Sequence, residues 1–416
     1  MENCKHLIVG AGPAGLAAAQ AIRDVDKKAE ITIVTREQTL PYSPAALPYV
    51  VSEELAAGDL FIKGRNVLQS LNVTLVLGKE VAEIAPQSKE VIYSDGGREF
   101  YHKLLIASGA HPTTLELKNL GSDQVYTFRT VGDCERLCKA LDQKQEIAIW
   151  GGGLVAVELA EKLCLAGHSV TIIVRSSLLR VYFSRKAVAK VEDAFLRHGV
   201  TVLTGNAVVA AKPVASRLEL TLKAGEKITV DRFVMAVGVA ANKIGGTWAG
   251  EGGLKVGMRM ETDFPDIYAA GDAAAAPSFF DGHHGPCPIL PEAVLQGRVA
   301  GTHMAGGCMD YKGWIQHNYL RCFEENLFSI GIIDQGSDPA YQTIEKEEPN
   351  GFLRLLLKDE CLVGAEGLNV ERVHPGVFLS LIRKRIPVSN HRHVLLSQPK
   401  KIAYWLMQQW CHRQAV

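Results

Sequence analysis

Gly10, Gly12 and Gly15 stand in the spacing G-x-G-x-x-G, and Gly151, Gly153 and Ala156 repeat the pattern with alanine in third place. A first glycine permits a tight turn after a strand. The second lets a phosphate approach the backbone, and a small third residue lets helix and strand pack closely. The helix that follows presents unpaired N–H groups and the positive end of its dipole, which suits a pyrophosphate. Pro13 fits the first turn of such a helix, where no N–H is needed. Glu158 falls in the first turns of the second helix; it could serve a cofactor or hold local structure. Asp272, in YAAGDAAAAP, could accept a hydrogen bond from a sugar-like hydroxyl or from a water bridging to phosphate. Val174 stands where an acid would select a free 2′-hydroxyl. Arg175 beside it could pair with a 2′-phosphate or with an ordinary pyrophosphate.

The flanking patterns supply the elements these residues need. A buried strand over 6–10 leads into the first glycine turn, a helix over 13–24 follows, and 30–35 forms the next strand. The second unit runs as strand 146–150, helix to 166 and strand 169–174. Apolar runs at 104–109 and 233–238 end in glycine and read as return strands. Residues 267–270 form a strand that ends in Gly271-Asp272, followed by an alanine-rich start to a helix. Two such units imply two dinucleotides, one a bound electron carrier and the other a diffusible partner. Residues 311–416 read as a smaller domain, with alternating strands at 327–333, 351–357 and 361–364 and a helix over 376–386. Tyr404, Trp405, Leu406 and Trp410 crowd one short tail helix as candidate partner anchors.

The chain has 416 residues with 45 basic and 45 acidic side chains, and 47% are hydrophobic. That balance argues against a nucleic-acid-binding protein and against general disorder. No apolar run reaches the length of a membrane span. The amino terminus enters a strand without a signal-peptide pattern, and nine cysteines without a CxxC pair read as reduced thiols; both point to the cytoplasm. His283, His284 and Cys287 form a donor-rich loop but not a full metal-ligand set, so no metal site is assigned.

In their order, GAGPAG (10–15), IASGAHP (106–112), GGGLVAVE (151–158), VMAVGV (234–239) and YAAGDAAAAP (268–277) resemble the flavin-containing pyridine nucleotide–disulfide oxidoreductase superfamily. The resemblance covers roughly residues 4–310. It implies an α/β protein with two Rossmann-like dinucleotide-binding domains, glutathione-reductase-like, plus a small α+β carboxyl-terminal domain. The implied boundaries are 1–112 and 245–310 for FAD, 113–244 for NAD (with NADP possible) and 311–416 for an interface domain. Carried over residue by residue, Gly10, Gly12, Pro13 and Gly15 would lie against the FAD pyrophosphate. Val81 would meet the adenine, Gly109 would pass near the cofactor, and Gly271 and Asp272 would face the ribityl and phosphate region. Pro291 would approach the flavin edge. Gly151, Gly153, Ala156, Glu158 and Arg175 would belong to the nicotinamide nucleotide.

Two departures qualify the resemblance. Many relatives carry a ribose-binding acid at the place of Thr35; here the acid is Glu37, which would reach back unless Thr35 and water suffice. The disulfide-reducing branches also place a redox cysteine in the first helix or near residue 45. This chain reads LPYSPAALPYVVSE and has no cysteine from 5 to 133. Disulfide exchange needs a thiolate, so these routes are closed, and no side chain is required as a catalytic acid or base. The loop is most similar to flavoprotein subunits of phenylglyoxylate dehydrogenase and tungsten-dependent aldehyde oxidoreductase complexes. The resemblance therefore implies an electron-transfer subunit with an iron–sulfur partner and a separate catalytic subunit, without excluding a homodimer. The alternatives are a free-standing NAD(P)H-dependent ferredoxin or rubredoxin reductase, and a redox-inactive nucleotide-binding structural subunit.

Overall fold

The computed structural model describes residues 4–61, 68–114, 124–141, 143–247, 252–334, 336, 338–370, 373–388, 392–398, 401, 404–405 and 408. The chain divides into two compact units: Met1–Thr113, Phe128–Ala140 and Gly238–Ile315 form the first, and Thr114–Thr127, Leu141–Val237 and Gln316–Val416 the second.

In the first unit, strand β1 (Lys5–Val9), helix α1 (Pro13–Val25) and strand β2 (Glu30–Val34) follow one another in the expected order. The apolar runs make a parallel five-stranded sheet ordered Ile267–Ala269, Lys103–Ile106, β1, β2, Thr74–Val76. Strands buried on both faces need such continuous apolar sequence, and Leu7, Ile8, Ile33, Leu105 and Ile106 are fully enclosed. A three-stranded antiparallel meander, Val81–Ala85, Glu90–Tyr93 and Arg98–Phe100, precedes the strand beside β1. Buried Arg23 closes the end of α1 by donating to the carbonyls of Leu71, Asp26, Ala29 and Asn72 at 2.8–3.1 Å.

The helix Leu290–Met304 lies against α1 almost backbone to backbone. A Cβ on Gly297 would stand within 3.0 Å of the Ala14 carbonyl oxygen, and one on Gly301 equally close to that of Ala18. Four-residue spacing puts both glycines on one helix face, so a single stripe without side chains seats α1.

The second unit repeats the plan. Its parallel sheet is ordered Thr201–Leu203, Ser169–Ile173, Glu146–Trp150, Arg232–Met235, Val125–Thr127, with a meander of Val208–Val214, Arg217–Leu222 and Lys227–Val230. Within the same unit, the carboxyl-terminal region forms an antiparallel five-stranded sheet ordered His317–Cys322, Glu325–Gly331, Cys361–Leu368, Gly351–Lys358, Tyr341–Glu348. The helix Pro375–Lys384 packs on this sheet, with Phe378 stacked on Phe328. Buried Glu161 accepts from the Phe323 amide at 2.5 Å, and Glu366 from that of Ser184 at 2.6 Å.

One finding differs from the sequence expectations. Residues 274–277 form a strand, Ala274–Pro277, between Leu254–Lys255 and His284–Gly285. Sheet pairing and burial there override alanine's helix preference. The helix Val131–Lys139 groups with the first unit, where the Val131 amide donates to the Tyr42 hydroxyl at 3.2 Å and the Cys134 thiol to the Leu47 carbonyl at 3.6 Å. The chain re-enters that unit at Gly238 because Val239–Ala241 pairs with Ala110–Pro112. Of the four apolar tail residues, Tyr404 and Trp405 are exposed, while Leu406 and Trp410 lie outside the described residues. Among the described residues no helix is long and apolar enough to cross a membrane.

The helix seat gives one expectation. Gly301→Ala forces α1 away and should lower the unfolding free energy by about 1–3 kcal/mol in urea denaturation; an unchanged midpoint would refute the close seat. A second concerns His6, fully buried in β1, with neither ring nitrogen hydrogen-bonded among the described residues. Burial pushes its pKa down to about 4. The unfolded chain then binds the proton more readily, so stability falls as pH drops from about 6.5 towards 4, by about 3 kcal/mol in all. His6→Leu should remove that part of the acid sensitivity; an identical pH profile in the variant would contradict it.

Candidate nucleotide-binding sites

The first glycine turn is shaped by what its residues cannot carry. Gly10 sits at φ +114°, and a Cβ there would fall within 3.0 Å of the Ala107 carbonyl oxygen; one on Gly15 would strike the Gly10 carbonyl. Gly12 is different, because a Cβ there would meet nothing within 4 Å. It is also the N-cap of α1, where no side chain caps the helix and Pro13 occupies the first turn. Two other helices show the contrast. Thr130 and Asp133 form a full capping box on Val131–Lys139, and Ser184 caps Arg185–Arg197. The amides at the start of α1 are thus left beside open space, an arrangement that suits a phosphate.

The second turn has the same construction. Gly151 lies at φ +145° with a Cβ position within 3.0 Å of the Ala236 carbonyl oxygen, and Gly153 opens on empty space as the uncapped N-cap of Leu154–Leu165. Ala156 is fully buried. Val174 is buried too, and a Cβ on Gly152 would come 2.6 Å from its Cγ2. The side chain at the place of a ribose-binding acid is therefore turned into the protein, while Arg175 next to it is exposed. Glu158 is half-buried, and burial, with the nearby Glu161 charge, raises its pKa to about 7.

The first unit gathers further sequence candidates. Gly271, at φ +72°, is wedged where a Cβ would lie 3.2 Å from that of Ala14 and 3.6 Å from that of Ala293. Asp272 follows, largely enclosed, and pairs with Arg129 at 2.5 Å. The Arg129 amide in turn donates to Asp133 at 2.9 Å, which ties the arginine to a capped helix. Sequence reasoning missed Arg129. The capping pattern after it was readable, but its partner lies far along the chain. Glu37 is half-buried, with its amide on the Thr35 hydroxyl (3.2 Å) and its carboxylate accepting from Tyr42 (2.9 Å). Val81 opens the meander and is buried. Gly109, at φ +68°, accepts from the Asn242 amide at 2.9 Å. Pro291 is exposed in the first turn of Leu290–Met304. In the donor-rich loop, Cys287 is buried whereas His283 is exposed. Among the described residues no group of three or more histidine, cysteine or acidic side chains could hold a metal ion.

Known proteins share this plan. Residues 4–305 match the family model described as pyridine nucleotide-disulphide oxidoreductase. The NADH-dependent phenylglyoxylate dehydrogenase subunit epsilon of Aromatoleum evansii is 32% identical over 98% of both chains. The NADH-rubredoxin oxidoreductase of Clostridium acetobutylicum is 28% identical over 87% of this chain and 88% of its own. Among solved structures, the covalent putidaredoxin reductase–putidaredoxin complex superposes with a TM-score of 0.85 at 21% identity, covering 98% of this chain and 99% of that one, a likeness of fold. The chain belongs to the pyridine nucleotide-disulphide oxidoreductase family and is an FAD-dependent, NAD(P)-linked oxidoreductase.

Proposed function

We propose that this chain is the electron-transfer flavoprotein of a larger oxidoreductase, taking single electrons from an iron–sulfur partner and returning them in pairs to NAD⁺. The observation that carries the two-nucleotide reading is the matched pair of turns, each with a first glycine pressed on a return-strand carbonyl and a second facing open space. Gly10, Gly12, Pro13 and Gly15 would hold the FAD pyrophosphate, Asp272 with Arg129 the ribityl side, Val81 the adenine, and Glu37 the ribose. Gly109, Gly271 and Pro291 would line the rest. Gly151, Gly153, Ala156, Glu158 and Arg175 would hold NAD(H). Bound FAD supplies the chemistry, since it exchanges electrons singly or as a hydride.

The residues of the chain bind and orient these groups. Ala45 lies in the short turn Pro44–Ala46, so no thiol stands at that position. The neighbouring Cys134 is buried, and its hydrogen bond with Cys138 together with burial pushes its thiol pKa up, away from nucleophilic use. The likeness to the phenylglyoxylate dehydrogenase subunit over nearly the full length of both chains supports a catalytic partner acting on a 2-oxoacid. The likeness to the rubredoxin oxidoreductase supports a second reading, a free-standing reductase of a small redox protein.

With NADH as donor, the protein should reduce ferricyanide or a [4Fe–4S] ferredoxin and show no turnover with glutathione or coenzyme A disulfide. Sustained disulfide reduction would refute the electron-transfer reading. A stable complex with a cluster-bearing subunit, retained through size-exclusion chromatography, would favour the complex over the free reductase. Glu158 gives a pH test. Its carboxyl is neutral below about pH 7 and charged above it, so NADH affinity should fall several-fold between pH 6 and 8 as charge builds near the pyrophosphate. Glu158→Gln should flatten that profile; an unchanged slope would assign Glu158 to local structure instead.

A further inference from the structure

Between the Gly271-Asp272 turn and the helix Leu290–Met304 lies a buried polar chain that the nucleotide contacts do not use. Glu292 and Tyr311 are fully enclosed and Gln296 is 2% exposed. The Gln296 side-chain oxygen accepts from the Gly271 amide at 2.8 Å, and its Nε2 donates to the Tyr311 hydroxyl at 3.2 Å. That hydroxyl donates to Glu292 Oε2 at 2.6 Å, while Glu292 Oε1 accepts from the Ile315 amide at 3.4 Å. Tyr311 is fixed from behind, because its own amide donates to the Met258 carbonyl at 2.8 Å.

The direction of donation along this chain is determined. The tyrosine hydroxyl gives its proton to Glu292 Oε2 and turns its lone pair to Gln296. The Gln296 amide then has one orientation that satisfies both neighbours, with its oxygen on the Gly271 N–H. Flipping it would break two buried hydrogen bonds at once. Gly271 is wedged against Ala14 at the start of α1 and against Ala293, and the next residue carries the carboxylate that meets Arg129. Apolar side chains of similar volume could fill this space only at the cost of a buried, unsatisfied N–H. They would leave the Gly271 peptide without its acceptor and free to tilt.

We infer that Glu292, Tyr311 and Gln296 are positioning residues that fix the Gly271 peptide and thereby aim the Asp272 carboxylate at the bound FAD. This rests on the proposal that FAD lies at that turn. The three side chains need not touch the cofactor. They act through one backbone amide, and the hydrogen bond from Tyr311 to Glu292 keeps the relay pointing one way.

A double-mutant cycle on FAD affinity tests the inference. Apoprotein is titrated with FAD for the wild type, Tyr311→Phe, Asp272→Asn and the pair, with the visible circular dichroism of bound flavin recorded for each. Tyr311→Phe should weaken FAD about tenfold, the worth of one hydrogen bond, and should change the flavin dichroism. The double variant should bind no more weakly than Asp272→Asn alone, because the relay acts through that carboxylate. Losses that multiply in the double variant, or unaltered affinity in Tyr311→Phe, would overturn the inference. If Asp272→Asn itself leaves FAD binding intact, the placement of FAD at this turn fails, and the inference with it. Should Tyr311→Phe not fold, Gln296→Met removes the same link at similar volume and enters the same cycle with the same expected outcomes.

Discussion

The carbonyl oxygens of Ala107 and Ala236 stand where side chains on Gly10 and Gly151 would have to begin. In each unit the return strand pairs beside the first strand, and the carbonyl of the residue just after it closes over the glycine turn. No other residue type permits that approach together with the positive φ the turn adopts. The next glycine is thereby presented to open space at an uncapped helix end. The stripe of Gly297 and Gly301 extends the same economy to the next layer by letting a second helix settle on α1. From these close approaches follows the placement of the Gly271-Asp272 turn, which is wedged against residues of both helices.

This geometry explains which parts of the molecule were legible in the sequence. Glycine spacing after an apolar run carries its own physical reason, so both turns, their strands and their helices could be placed from the letters. The Ala274–Pro277 segment could not be, because alanine prefers a helix and only its neighbours' free edges make it a strand. The meanders share that difficulty, since short strands such as Arg98–Phe100 gain their pairing from the hairpin and not from their own pattern. Arg129 was silent for a related reason. A single arginine before a capped helix has no periodicity, and its meaning lies in Asp272.

Val174 shows how a sequence hint changes once packing is known. Its residue type alone removes the acid that would select NAD, and Arg175 beside it leans towards a 2′-phosphate. In the fold, Val174 is a core residue lying over Gly152, while Arg175 is exposed. The apolar residue at this position is thus explained by tight packing of the glycine turn. Similarly, Glu37 is committed in part to Tyr42, so its approach to a ribose would begin from a hydrogen-bonded and already oriented carboxylate.

In the proposed function both turns hold a dinucleotide and the two dinucleotides exchange a hydride. An anaerobic titration of the FAD-loaded protein with NADH and, in parallel, NADPH examines that most directly by following the visible flavin absorbance. Bleaching complete near one equivalent of NADH, with NADPH markedly less effective, is the expected result. Tightly held FAD that neither nucleotide bleaches would contradict it.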